Sequence, residues 1–221
     1  MASKETRLDP AKHADLDEDG FATRRVVKVT DFLVALLKAD VLGQLPARYA
    51  EHRAEDRDRP LRDTFQEGHI WFNHFVKADD LDVFNDTDYL ARLIVRGAAV
   101  ICPNNQRGVD IIVPVLFGTV LHPDSVSAIL VQVKTDRSYT TSPREYTFEA
   151  TDPFQVGIFS DKGRSDAEAA RPVIRMVFAL ASSRSGTSCP SSASAPDKFT
   201  AYDIWCAGTS HETFIPIREQ E

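Results

Sequence analysis

A nearly continuous apolar run, Val109 to Leu116, constrains this chain more than any other stretch. Rich in Val and Ile, it reads as a strand buried on both faces. A second run, Ala128 to Val133, follows a polar segment containing Gly118, Pro123 and Asp124, which can reverse the chain, so the two runs predict a hairpin. The first run carries one carboxylate, Asp110, near its start. Desolvating an unpaired polar group costs on the order of several kcal/mol, and a charge more, so Asp110 requires a partner or a metal ion. In the second run, alternation sets Gln132 and Lys134 on one face and Val133 on the other. With Asp110 near the same edge, the expectation is that Asp110, Gln132 and Lys134 project from one side of two adjacent strands.

An acidic residue on one strand followed by Glu-x-Lys or Gln-x-Lys on the next is the motif of the PD-(D/E)XK nuclease superfamily. Asp110 and Gln132-Val133-Lys134 resemble it. A Gly-hydrophobic-Asp segment, here Gly108-Val109-Asp110, ahead of a Gln-x-Lys strand is similar to the Mrr-like restriction endonucleases. This likeness spans Thr64 to Lys134. The segments RGAAVICPNNQRGVD, PVIRMVFALAS and YDIWCAG resemble a group of uncharacterised fungal proteins, a likeness that carries no established activity.

The nuclease resemblance implies an α/β fold with a restriction-endonuclease-like αβββ core, a mixed central sheet, helices N-terminal to it and additional C-terminal strands. It implies Mg²⁺, or Mn²⁺ in its place, held by Asp110, the Gln132 side-chain oxygen and the Val133 carbonyl, because hard cations favour oxygen ligands. The metal would polarise a phosphate and acidify a bound water, while Lys134 would orient that water and offset developing charge. Glu67, on a first core helix, is the candidate for an additional catalytic carboxylate. The substrate implied is a phosphodiester, in DNA rather than RNA, with Arg107, Asn105 and Arg137 as substrate-binding side chains. Gln132 is neutral, which leaves the site one negative charge short of an Asp/Glu/Lys site. The alternative is a catalytically inactive nuclease-fold binding module for protein or nucleic acid, in which Asp110 and Lys134 form a buried ion pair beside Gln132. A homodimer is compatible with either reading.

At 221 residues, 43% hydrophobic and 27% charged, the chain suits one sizeable soluble domain. No apolar stretch reaches the ~18 residues of a spanning helix, and the start lacks a signal peptide's apolar region, so no membrane is expected and an intracellular setting, cytoplasmic or nuclear, is. Three cysteines without CxxC spacing, Cys102, Cys189 and Cys206, predict neither a disulfide framework nor a zinc site. The net charge of −7 counts against broad nucleic-acid affinity. Its distribution offsets this, since Arg107, Lys134, Arg137 and Arg144 cluster near the motif while acidic residues crowd the first 90 positions.

Residues 1–22 read as a disordered or loosely packed tail, and 23–221 as a single domain with a flexible Ser-rich loop at 182–198. In the tail Asp15, Asp17, Asp19 and Gly20 imitate a calcium loop, but Val26 stands where the bidentate Glu belongs. Helices are expected over Thr30–Leu45, Thr64–Lys77 and Asp86–Arg96. The second opens on Thr64-x-x-Glu67, a capping-box pattern that competes with the catalytic role for Glu67. The charged run from Glu51 to Arg59 reads as a solvated connector. Strands are expected at Ala98–Cys102, Glu145–Glu149, Phe154–Phe159, Val173–Ala181, Phe199–Cys206 and Thr213–Ile217, with a helical turn over Asp166–Ala170.

Overall fold

The two apolar runs pair as an antiparallel hairpin, and a sheet is built outward from it on both sides. The computed structural model describes residues 26–80, 88–104, 106–159, 171–190 and 196–217. In chain order the elements are β1 (Val27–Lys28), α1 (Val29–Leu36), β2 (Tyr49–Ala50), α2 (Leu61–Thr64), β3 (Gly68–Ile70), β4 (His74–Lys77), α3 (Tyr89–Arg96), β5 (Ala98–Ile101), β6 (Ile111–Phe117), β7 (Val126–Lys134), α4 (Glu145–Glu149), β8 (Val173–Ala179), β9 (Gly186–Ser188), β10 (Pro196–Asp197) and β11 (Ala201–Ala207). The main sheet runs β1-β3-β6-β7-β8-β11-β9, with β5 also on β6 and β4 on β5. β7, β8 and β11 are mutually parallel, whereas β6 is antiparallel to β7, β5 and β3. The sheet is therefore mixed and the fold is α/β, as expected.

Alternation along the central strands sorts their side chains into two apolar layers. Val113, Val115, Ile129, Val131, Ile174, Met176, Tyr202 and Ile204 meet Val29 and Leu33 of α1 on one face. Ile112, Leu116, Ala128, Leu130 and Val173 meet Leu90, Leu93 and Ile94 of α3 on the other. On that second face Phe148 of α4 packs with Val177, Trp205 and Ala207. Helix α3 ends as its sequence predicts: Gly97 adopts φ 64° and its N–H reaches the carbonyls of Leu93 and Ile94.

Pro114 lies mid-strand in β6, where a missing N–H normally costs a ladder bond. The edge of β6 opposite β7 is shared. β5 pairs with Ile111 and Ile112, and β3 pairs with Leu116 and Phe117. Pro114 falls in the gap between them, where no neighbouring strand needs its donor.

Several expectations are corrected. Helix α1 stops at Leu36, because Leu37 bridges Phe214, and Thr213–Ile217 is otherwise turn rather than strand. The helix expected over Thr64–Lys77 is absent: Thr64 ends the four-residue α2, and the segment continues into β3 and β4. Glu145–Glu149 is helix and Phe154–Phe159 is turn. The run from Glu51 to Asp58 is a 3-10 segment pinned through buried Asp56, which accepts from the Thr200 hydroxyl at 2.8 Å. Part of the Ser-rich segment, Gly186–Ser188, is a strand on β11. The N-terminal tail, its calcium-like pattern up to Arg25, Asp166–Ala170 and residues 191–195 lie outside the described residues.

Candidate functional site

Strand β7 delivers Gln132 and Lys134 to the face that α3 and α4 cover, as alternation requires. Gln132 is 95% buried between strand neighbours, and its side-chain oxygen has no hydrogen-bond partner among the described residues. Such an atom forfeits roughly 1–3 kcal/mol of solvation unless something completes it. Lys134 is half-buried and its Nζ lies 5.5 Å from the centre of the Tyr139 ring, within cation–π range.

Asp110 does not join them by simple alternation. Its N–H donates to the Val131 carbonyl at 2.8 Å, although Val131 already pairs with Ile111, and its own carbonyl turns the other way to accept from Cys102 N–H at 2.8 Å. Two residues of one strand thus oppose one of the next, the hydrogen-bond pattern of a β-bulge. The side chains report the same slip. Val109 packs in the α3-side layer with Ile112 and Leu130, where strict alternation would have placed Asp110. The Asp110 carboxylate instead lies along the strand edge, with Oδ2 accepting the Val133 N–H at 2.6 Å. The expectation of three side chains projecting from one side is therefore corrected: Asp110 reaches the Gln132-Val133-Lys134 backbone from the edge.

That edge remains oxygen-rich. Oδ1 of Asp110 has no hydrogen-bond partner among the described residues. Val133 directs its N–H, and with it its carbonyl, towards β6, whereas the Lys134 carbonyl accepts from Leu180 N–H at 2.9 Å on the β8 side. Because β6 begins only at Ile111, no strand N–H reaches the Val133 carbonyl. A carboxylate oxygen, a buried amide oxygen and a backbone carbonyl thus occur at one end of the hairpin, oxygens of the kind that hard cations favour. Among the described residues no group of three His, Cys, Asp or Glu side chains is placed to hold a metal, so any ion here would have a single protein carboxylate. Asp110 and Lys134 form no ion pair with each other among the described residues.

The glycine before Asp110 has a structural reason. Gly108 adopts φ 92°, and a Cβ there would lie 1.8 Å from the Ala150 carbonyl oxygen, so the residues just after α4 press directly on this corner. Nearby, burial pushes the Cys102 thiol up to about 12, with the Asp110 charge adding to the effect.

The remaining candidates are dispersed. Glu67 is exposed, and its carbonyl accepts from Gly118 N–H at the far end of β6. At ~3.4 Å per residue that places it roughly 20 Å or more from Asp110, so the catalytic role for Glu67 is corrected. The capping box is not formed either, since Thr64 Oγ1 pairs with the Tyr202 hydroxyl at 2.6 Å. Helix α3 is the helix that precedes β5, β6 and β7, and it contains no acidic residue. Arg107 and Arg137 are exposed in the loops flanking β6 and β7. Asn105 lies outside the described residues.

Sequence reading missed an aromatic cluster beyond Lys134. Arg144 lies 4.5 Å from the Tyr139 ring centre and donates to the Tyr146 hydroxyl at 2.8 Å and to the Ser138 carbonyl. Tyr139 also stacks on buried Trp205 at 6.2 Å, and Trp205 Nε1 donates to the Thr140 carbonyl at 2.8 Å. The Arg144 guanidinium and then the Tyr139 hydroxyl hold the Tyr146 phenol below its ordinary range. The available signal was two tyrosines and an arginine within one eight-residue window, Tyr139 to Tyr146, shortly after a Gln-x-Lys strand.

Comparison with protein-family models, with curated proteins and with solved structures finds no match to this chain. No helix among the described residues is long and apolar enough to cross a membrane.

Proposed function

We propose that the protein is a Mg²⁺-dependent phosphodiesterase acting on nucleic acid, DNA in the first instance. The observation that carries this reading is the buried Gln132 oxygen, without a hydrogen-bond partner among the described residues, one residue before the Val133 N–H that holds the Asp110 carboxylate. Polar atoms left incomplete in a well-paired sheet are those a ligand would complete. The run α3-β5-β6-β7 supports the same reading, since a helix followed by three antiparallel strands, with the acid at the start of the second and Gln-x-Lys on the third, is what the resemblance implies.

In this reading Asp110 Oδ1, Gln132 Oε1 and the Val133 carbonyl would hold the ion, which would polarise a phosphate and acidify a bound water. The Val133 N–H fixes the Asp110 carboxylate, and Lys134, which has no carboxylate partner among the described residues, would offset charge on the phosphate. A single protein carboxylate predicts weak metal binding, with substrate phosphate supplying further oxygens.

Asp110→Asn is the direct test, because an amide oxygen can still accept the Val133 N–H while the negative charge is lost. Plasmid and single-stranded DNA incubated with Mg²⁺ or Mn²⁺ should be cleaved by the parent protein and not by this variant, whose melting temperature should stay close to the parent's. A parent inert with both ions, or a variant as active as the parent, would overturn the proposal.

A further inference from the structure

We infer that the substrate class of this site is single-stranded nucleic acid, bound by a platform of Tyr146, Arg144 and Lys134 that stacks one unpaired base and holds its flanking phosphates. The inference rests on the phosphodiesterase reading for what the bound strand is brought to, but the platform itself is independent of any metal.

Tyr146 is 55% exposed, while the groups behind it are anchored. Its hydroxyl is held by Arg144 at 2.8 Å, Arg144 lies over Tyr139, and Tyr139 is backed by Trp205, which has no exposed surface. An exposed ring fixed in this way loses little freedom when a flat ligand stacks on it. Lys134 Nζ approaches the same Tyr139 ring at 5.5 Å, which places a second cation beside the platform, two residues after Gln132.

Base stacking on an aromatic side chain is sequence-tolerant, and it requires an unstacked base, which a duplex does not present. Cations set around the ring serve the backbone on either side. Between Lys134 and Glu145 the chain carries three cations, Lys134, Arg137 and Arg144, against two carboxylates, Asp136 and Glu145. Asp136 is partly engaged, since its Oδ1 accepts the Ser138 N–H at 2.7 Å. This segment is therefore slightly positive on a chain whose net charge is −7, and it is suited to a short local contact with a strand.

Fluorescence anisotropy in EDTA, with labelled single-stranded and duplex oligonucleotides of one sequence and the full-length protein, separates binding from cleavage. The single strand should bind more tightly than the duplex. Tyr146→Ala should weaken single-strand binding about tenfold, while Tyr146→Phe, which keeps the ring but loses its Arg144 anchor, should show a smaller loss. Arg144→Gln should lower the salt slope of single-strand binding by ~0.7, the loss of about one phosphate contact. The inference is overturned if no single-strand binding occurs, if the duplex binds equally well, or if Tyr146→Ala matches the parent. A strand that binds through Tyr146 to a protein inert with Mg²⁺ and Mn²⁺ would remove the hydrolytic reading and leave the platform standing.

Discussion

Two polar groups on one face of the sheet, a few residues apart, are treated in opposite ways. On β8 and β11, Arg175 and Asp203 stand side by side in register and are almost wholly buried. Arg175 donates Nε and Nη2 to the two Asp203 oxygens at 2.6 and 2.7 Å, and Nη1 to the Phe148 carbonyl at 2.9 Å. Both members of this pair are engaged on every charged group. On the adjoining β7, Gln132 is as deeply placed, but among the described residues its oxygen has no hydrogen-bond partner and Lys134 meets an aromatic face rather than a carboxylate. Burial of a polar residue therefore does not identify a site by itself. The Arg175–Asp203 pair holds α4 onto the sheet, whereas the end of β7 is incomplete, and only the incomplete group gives a ligand something to add.

The largest expected effect breaks the first member of this comparison. Arg175→Ala strands a buried carboxylate, and urea denaturation should show a loss of about 3–5 kcal/mol. A loss below ~1 kcal/mol would mean that the pair is no more structural than the end of β7.

Lys134→Ala sharpens the other side. Without a carboxylate partner, the ammonium should contribute little to stability, so melting should change little while turnover falls roughly 10²–10³-fold. Divalent-metal affinity should be unchanged or improved, since a cation beside the ion opposes its binding. A variant that loses stability as Arg175→Ala does would place Lys134 in the structural class.

The smallest effect is at Gln132. Gln132→Leu removes an unsatisfied buried oxygen at similar volume, so stability should be unchanged or rise by up to about 1 kcal/mol, with divalent-metal binding lost by calorimetry. Destabilisation by the apolar replacement would show that the amide is satisfied in solution and is not a vacant donor.

Much of the fold was legible in the sequence because local patterns sufficed. The hairpin followed from two apolar runs and a turn, and α3 followed from Leu90, Leu93 and Ile94 at helical spacing with Gly97 behind them. The helix assigned to Thr64–Lys77 failed because its aromatic residues suit either period and because β6 offered an edge for β3. Glu145–Glu149 read as a strand because its Tyr, Thr and Phe favour strands, yet Phe148 is needed over Trp205, and a single helical turn places it there. Glu67 was chosen for its position in a helix that does not form.

What the sequence determined by itself was the periodicity of β7, and hence that Gln132 and Lys134 share a face, since strand side chains alternate whatever the partner. Only tertiary structure decided where the Asp110 carboxylate goes. One extra residue against Val131 rotates everything N-terminal to it, and whether a strand bulges depends on how β5, β7 and Ala150 crowd the same corner, which no local pattern encodes. The same holds for Tyr139 and Arg144, which acquire their arrangement from Trp205, more than sixty residues later in the chain and brought beside them by the parallel pairing of β8 and β11.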